Sequence, residues 1–119
     1  MKTNVGKIEM KFAEIIWENE PISSAELAKR SFELLGWKKT TSHTVLKRLC
    51  DKGIFKNEKS IVTSCVSKEE LLSLQSERFV EETFGGSLPA FVAAFTKNRK
   101  LTEEEARELL KMVDSFKEE

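Results

Sequence analysis

The segment Thr40 to Lys52 sorts its side chains into two opposed faces when laid out at about 100° per residue. Ser42, Val45, Leu46 and Leu49 share one side, and Thr40, Thr44, Lys47, Arg48 and Asp51 fall on the other. Thr41 and His43 lie on the flanks. Gly36 stands ahead of the segment and Gly53 directly behind it, and glycine is the residue that most readily closes a helix with a left-handed turn. The spacing predicts a helix over Thr40–Lys52 with a core face and a separate polar face. A helix of that kind demands neighbours that cover its apolar side, so the flanking sequence decides the fold.

Those neighbours are readable. Ile8, Phe12, Ile15 and Ile16 sit at helical spacing from about Lys7 to Glu18, and Pro21 stops that helix. Ser23-Ser24-Ala25-Glu26 has the form of a capping box, in which a serine oxygen meets an orphan amide and the glutamate reaches back. It opens a second helix whose apolar face is Ala25, Leu27 or Ala28, Phe32 and Leu35, ended by Gly36. After the Thr40–Lys52 helix, Ile54-Phe55 reads as a short strand, Asn57 to Ser60 as a polar turn, and Ile61 to Val66 as a β-branched second strand. Trp17 and Trp37 lie beside apolar faces and read as core. Three helices followed by a two-stranded hairpin is the order of a winged helix-turn-helix, placed here on residues 1–66.

Residues 67–119 read as a separate helical module. Ser67-Lys68-Glu69-Glu70 is a second capping box and starts a long helix to about Phe84, with Leu71, Leu74 or Leu72, Phe79 and Val80 on one side. Gly85-Gly86 breaks it, and Ser87-Leu88-Pro89 starts a short apolar helix, since proline is tolerated in a first turn. Thr102 to Glu105 is a third capping box, and its helix carries Ala106, Leu109, Leu110, Val113 and Phe116 along one stripe. Three short helices cannot bury such faces on a core of their own. The expectation is a second copy of the chain as partner, met through Phe91, Val92, Phe95, Leu109, Leu110, Val113 and Phe116.

Charge supplies the next constraint. The 119-residue chain has a formal net charge of zero, but its distribution is uneven. Residues 1–66 carry 12 Lys and Arg against 8 Asp and Glu, and residues 67–119 carry 8 against 12. Between residues 36 and 59, Lys38, Lys39, Lys47, Arg48, Lys52, Lys56 and Lys59 face only Asp51 and Glu58. A basic segment in a balanced chain is the footprint of phosphate binding; taken alone, it also describes an ordinary solvated helix face. The coincidence with the polar face of one helix points to double-stranded DNA. Thr41 and Thr44 offer hydroxyls for base edges and methyls for thymine, and Arg48 or Lys47 a cation for guanine or phosphate. Lys38, Lys39, Lys52, Lys56 and Lys59 are placed for backbone contacts, with Thr40 and His43 beside them.

Other chemistry is poorly supported. No apolar run approaches the length of a membrane span, and the N-terminus lacks a signal peptide's apolar core, which implies a cytoplasmic protein without membrane insertion. Cys50 and Cys65 form neither a CxxC pair nor a zinc set; they read as small buried hydrophobes sooner than as a redox switch. His43 reads as a surface or phosphate-contacting residue sooner than as a metal or pH sensor. Glu103-Glu104-Glu105 suits a helix macrodipole better than a catalytic cluster. Neither an enzyme nor a bound cofactor or metal is expected.

The run Gly36-Trp37-Lys38-Lys39-Thr40-Thr41-Ser42-His43-Thr44-Val45-Leu46-Lys47-Arg48-Leu49-Cys50-Asp51-Lys52-Gly53, preceded by Ile16-Trp17, resembles the penicillinase/methicillinase repressor family, the BlaI/MecI/CopY group. So do Val66-Ser67-Lys68-Glu69-Glu70 and Phe84-Gly85-Gly86-Ser87-Leu88, and the likeness extends from about Lys7 to Met112. It implies homodimeric winged-helix repressors that bind palindromic operators with the N-terminal domain and dimerise through C-terminal helices. It also implies, for well-known members that control β-lactamase-type resistance operons, release of the DNA by proteolysis triggered by a membrane sensor. The family's Asn-Phe cleavage position falls on Ala94-Phe95, which keeps the phenylalanine and replaces the asparagine. The cysteine cluster of the copper-responsive branch has no counterpart after Cys65, and the family's Arg/Tyr-rich wing strand is replaced by Ile61 to Cys65. The contrasting reading is a winged-helix protein-interaction module that binds no DNA; fold alone does not separate the two.

Overall fold

The computed structural model describes residues 5–117. In chain order the elements are α1 (Lys7–Asn19), β1 (Ile22–Ser23), α2 (Ser24–Leu35), α3 (Lys39–Asp51), β2 (Phe55–Glu58) and β3 (Ile61–Ser64). Then come α4 (Lys68–Phe84), α5 (Leu88–Asn98) and α6 (Glu103–Ser115). The fold is mainly helical with a small antiparallel sheet of order β1-β3-β2, a winged helix followed by further helices. Two compact units divide between Glu77 and Arg78, inside α4.

The first unit has a closed core. Phe12 and Ile16 of α1, Leu27 of α2, Leu49 of α3, Ile54, Phe55 of β2, Val62 of β3 and Leu71 of α4 are all fully buried. Each such side chain stabilises the fold by roughly 1.5–3 kcal/mol relative to exposure. Trp37 stacks on Phe12 with ring centroids 5.2 Å apart, and Trp17 tilts against Phe55 at the same distance. Both indoles are half-buried at the core's margin. Leu71 shows why the compact unit runs past residue 66: the first turn of α4 contributes to this core.

Local chemistry explains the helix ends, with corrections to the sequence reading. Ser23 accepts the Glu26 amide at 3.1 Å, but the Glu26 carboxylate is engaged by Arg30 at 3.2 Å, and Ser23 lies opposite Ile61 in the sheet. The reciprocal box is complete at Ser67–Glu70 and at Thr102–Glu105. Gly36 closes α2 at φ 70°, a conformation costly for any residue with a Cβ. On α2 the inward residues are Leu27, Ala28 and Ser31, whereas Ala25 is exposed and Phe32 is 64% exposed. Ser31 can be buried because its hydroxyl donates to the Leu27 carbonyl at 2.7 Å.

The wing is tighter than its sequence suggests. Asn57 and Glu58 belong to β2, the register pairs Glu58 with Ile61, and only Lys59 and Ser60 form the loop. Their φ values of 52° and 64° are those of a two-residue type I′ hairpin, whose twist matches the strands it joins. β3 ends at Ser64, short of Val66. Cys65, expected inside, is exposed, and Cys50 is half-buried against the core.

In the second unit Gly85 and Gly86 adopt φ of 60° and 83° and separate α4 from α5. Ser87 caps α5 by accepting the Ala90 amide at 3.1 Å, with Pro89 in the first turn. Phe79, Phe84 and Phe91 meet edge to face at centroid distances of 5.6–6.0 Å. None of the described residues of this unit is buried.

Candidate nucleic-acid interface

The face of α3 opposite the core is where the sequence-predicted residues gather. Lys39, Thr40, Thr41, His43, Thr44, Lys47 and Arg48 are exposed, while Ser42, Val45, Leu46 and Leu49 are buried beneath them. Lys38 is the N-cap, it makes no side-chain cap hydrogen bond, and the first turn holds no acid. The positive end of the helix dipole is therefore reinforced by Lys38 and Lys39 and opposed by nothing local, which favours an anion there. Thr44 donates its hydroxyl proton to the Thr40 carbonyl at 2.9 Å, leaving an acceptor oxygen and a methyl to present outward. Ser42 Oγ is buried with no hydrogen-bond partner.

The cations differ in how far they are spoken for. Lys47 approaches Asp51 at 3.3 Å, with the two side chains 79% and 68% exposed. Such a pair is screened and worth little, so Lys47 remains available to a phosphate or base. On the wing, Lys56 is paired as loosely with Glu58 at 3.4 Å, and Lys59 projects from the loop between β2 and β3.

Arg48 is another case. Its Nη1 lies 2.7 Å from Glu9 Oε1, and Lys52 Nζ lies 3.7 Å from Glu9 Oε2. Glu9, in the first turn of α1, is 19% exposed, and the Lys52 side chain is 18% exposed. Burial alone raises the Glu9 pKa. The hydrogen bond from Arg48, the charge of Lys52 and a hydrogen bond from the Gly6 backbone together outweigh it and hold the carboxyl below the usual range. Sequence reasoning placed Arg48 and Lys52 on an open DNA face and overlooked Glu9. An acid at the start of a helix reads as a dipole partner, and no local spacing connects residues 39 apart.

The second unit presents the residues expected to meet another copy. Phe91 is half-buried; Val92, Phe95, Leu109, Leu110, Val113 and Phe116 are exposed. Phe91, Val92, Phe95, Leu101, Leu109 and Met112 line a groove of about 380 Å³ between α5 and α6, with Arg99 at its edge, 5.2 Å from the Phe95 ring centroid and 2.8 Å from Glu105. Ala94 and Phe95 are both exposed and both lie inside α5. The Cys50 thiol is pushed up by burial and by the neighbouring Cys65 and Asp51 charges, which keeps it protonated and sluggish as a nucleophile.

The sequence profile of the penicillinase repressor family matches residues 5–115. The chain belongs to that family, whose members are DNA-binding transcriptional repressors with a regulatory rather than an enzymatic role. No curated protein gives a match. Among the described residues, no helix is long and apolar enough to cross a membrane.

Proposed function

We propose that this member of the family acts as a homodimer that places two α3 helices in successive major grooves of a palindromic operator. The observation that carries the reading is the α3 surface itself: Lys39, Thr40, Thr41, His43, Thr44 and Lys47 lie exposed together over a buried apolar face. A helix with that face fits the major groove, where threonine methyls meet thymine and lysines meet guanine or phosphate. Two-fold symmetry makes the site palindromic, and occupation of successive grooves sets half-sites about one helical turn apart or a little more. Lys38, Lys39, Lys56 and Lys59 supply backbone contacts on either side of the base-reading residues. An interaction module that binds no DNA has no use for this concentration of cations between residues 36 and 59.

The partner copy is met through the α5 and α6 stripe. The same reading covers a β-lactamase-type or related resistance or stress operon as target, and a sensor-protease system as the indirect source of derepression. Cleavage between Ala94 and Phe95 requires α5 to unwind locally, because both residues sit within its turns.

The test is selection of bound duplexes from a random library, followed by anisotropy titration of the winner. Thr44→Ala combined with Lys47→Ala is expected to weaken that duplex at least tenfold, since a single base contact is worth about 1–3 kcal/mol. Equal affinity in the double variant, or recovery of no symmetric duplex at all, refutes the assignment of α3.

A further inference from the structure

Glu9 reaches the basic surface of α3 from another element, α1, and it does so from a covered position. Its two oxygens engage two different cations, Arg48 at 2.7 Å and Lys52 at 3.7 Å. A single carboxylate thus holds two cations at once. It also ties the last turns of α3 to the first turn of α1. Arg48 remains 52% exposed, so its place at the surface is not in question. What Glu9 removes is the freedom of its guanidinium to swing to any phosphate within reach.

We propose that Glu9 is a specificity-determining positioning residue: it masks Arg48 against indiscriminate phosphate binding. This rests on the DNA-binding reading above. Arginine is the cation best suited to grip phosphate in a bidentate fork, and a free arginine beside a recognition helix strengthens binding to every sequence alike. Non-specific affinity scales with the number of cations that displace counterions. A carboxylate that keeps Arg48 out of that number lowers affinity for random DNA. It does so without touching a base, leaving discrimination to the threonines and Lys47. Glu9 itself contacts no DNA; it acts through Arg48.

The experiment uses the full chain and a mixed-sequence duplex of about three helical turns, titrated across salt concentration. Relative to wild type, Glu9→Gln is expected to bind this duplex more tightly, with the log–log salt slope steeper by about 0.9. Over a fourfold drop in salt, that slope makes its gain in affinity about 3.5 times the wild-type gain. Adding Arg48→Ala to Glu9→Gln returns the slope to the wild-type value, whereas Arg48→Ala alone leaves it unchanged. Glu9→Asp, which keeps the charge, stays near wild type. A residue that served stability alone weakens all DNA on removal and does not steepen the slope.

An unchanged or flatter slope in folded Glu9→Gln overturns the proposal, as does a slope flattened by about 0.9 in Arg48→Ala alone. The second arm decides even if Glu9→Gln does not fold. Should wild type show no salt-dependent binding to the duplex, the DNA reading fails and the masking role with it. If wild type binds and Glu9→Gln matches it, only the masking role fails.

Discussion

Trp17 donates its indole N–H to the carbonyl of Val66 at 3.0 Å, across 49 residues of chain. The bond joins the end of α1 to the residue that leads into α4, and the ring beside it packs on Phe55. Val66 is buried, so its carbonyl has little recourse to water. Trp17→Phe keeps the aromatic packing and deletes the donor. Urea unfolding is expected to show a loss of about 1–3 kcal/mol with an unchanged m value, while DNA affinity per folded molecule stays constant.

Glu9 links stability to acidity. Its folded pKa lies below its ordinary value of 4.5, so its contribution is fully present above the unfolded pKa and is lost as pH falls through the folded one. Wild type is therefore expected to exceed Glu9→Gln in melting temperature at neutral pH, by an amount equivalent to about 1 kcal/mol given the half-exposed Arg48. The gap should narrow only below about pH 4.5 and vanish in stronger acid. A gap that persists unchanged at pH 3 contradicts an ionised Glu9 as its source.

At the wing tip, Lys59 and Ser60 both occupy the left-handed region, which costs a residue with a Cβ about 1–2 kcal/mol relative to glycine. Ser60→Gly is expected to raise stability by a few tenths to about 1 kcal/mol, glycine's extra unfolded-state entropy offsetting part of the relief. Lys59→Gly should stabilise similarly yet flatten the salt dependence of DNA binding, because it deletes a cation with the strain. Calorimetry and salt titration on the pair separate backbone from charge.

Leu110 is 67% exposed on α6. Leu110→Glu is expected to shift sedimentation equilibrium toward monomer by at least tenfold in dissociation constant, about 1.4 kcal/mol, and to lower operator affinity in parallel. Unchanged sedimentation removes this stripe from the proposed interface.

Much of this fold was legible because its punctuation is chemical. Gly36 and Gly53 end their helices in the left-handed turns that glycine permits, and Pro21 separates α1 from α2. The two faces of α3 follow from periodicity alone. What escaped was short or remote. Two residues, Ile22 and Ser23, show no period by which to recognise a strand, and they pair with β3 only once the chain has returned to them. The burial of Ser31 depends on a hydrogen bond to Leu27, so the apolar pattern of α2 led to Phe32 instead. Similarly, the tie of Arg48 to Glu9 belongs to the packing of α1 against α3, and the candidate site looked more open in the sequence than it is.

The middle strand of the sheet gives the wing a mechanical role. The Ser24 amide, at the head of α2, donates to the carbonyl of Ser60 at 2.9 Å, and Ser23 is at once a partner of Ile61 and the cap of α2. Tip and helix are thus geared together with no flexible linker between them. These ties leave the tip little room to move apart from the opening turn of α2, so a load on Lys59 is expected to be felt there first. The wing is built less as a loose arm than as a braced one.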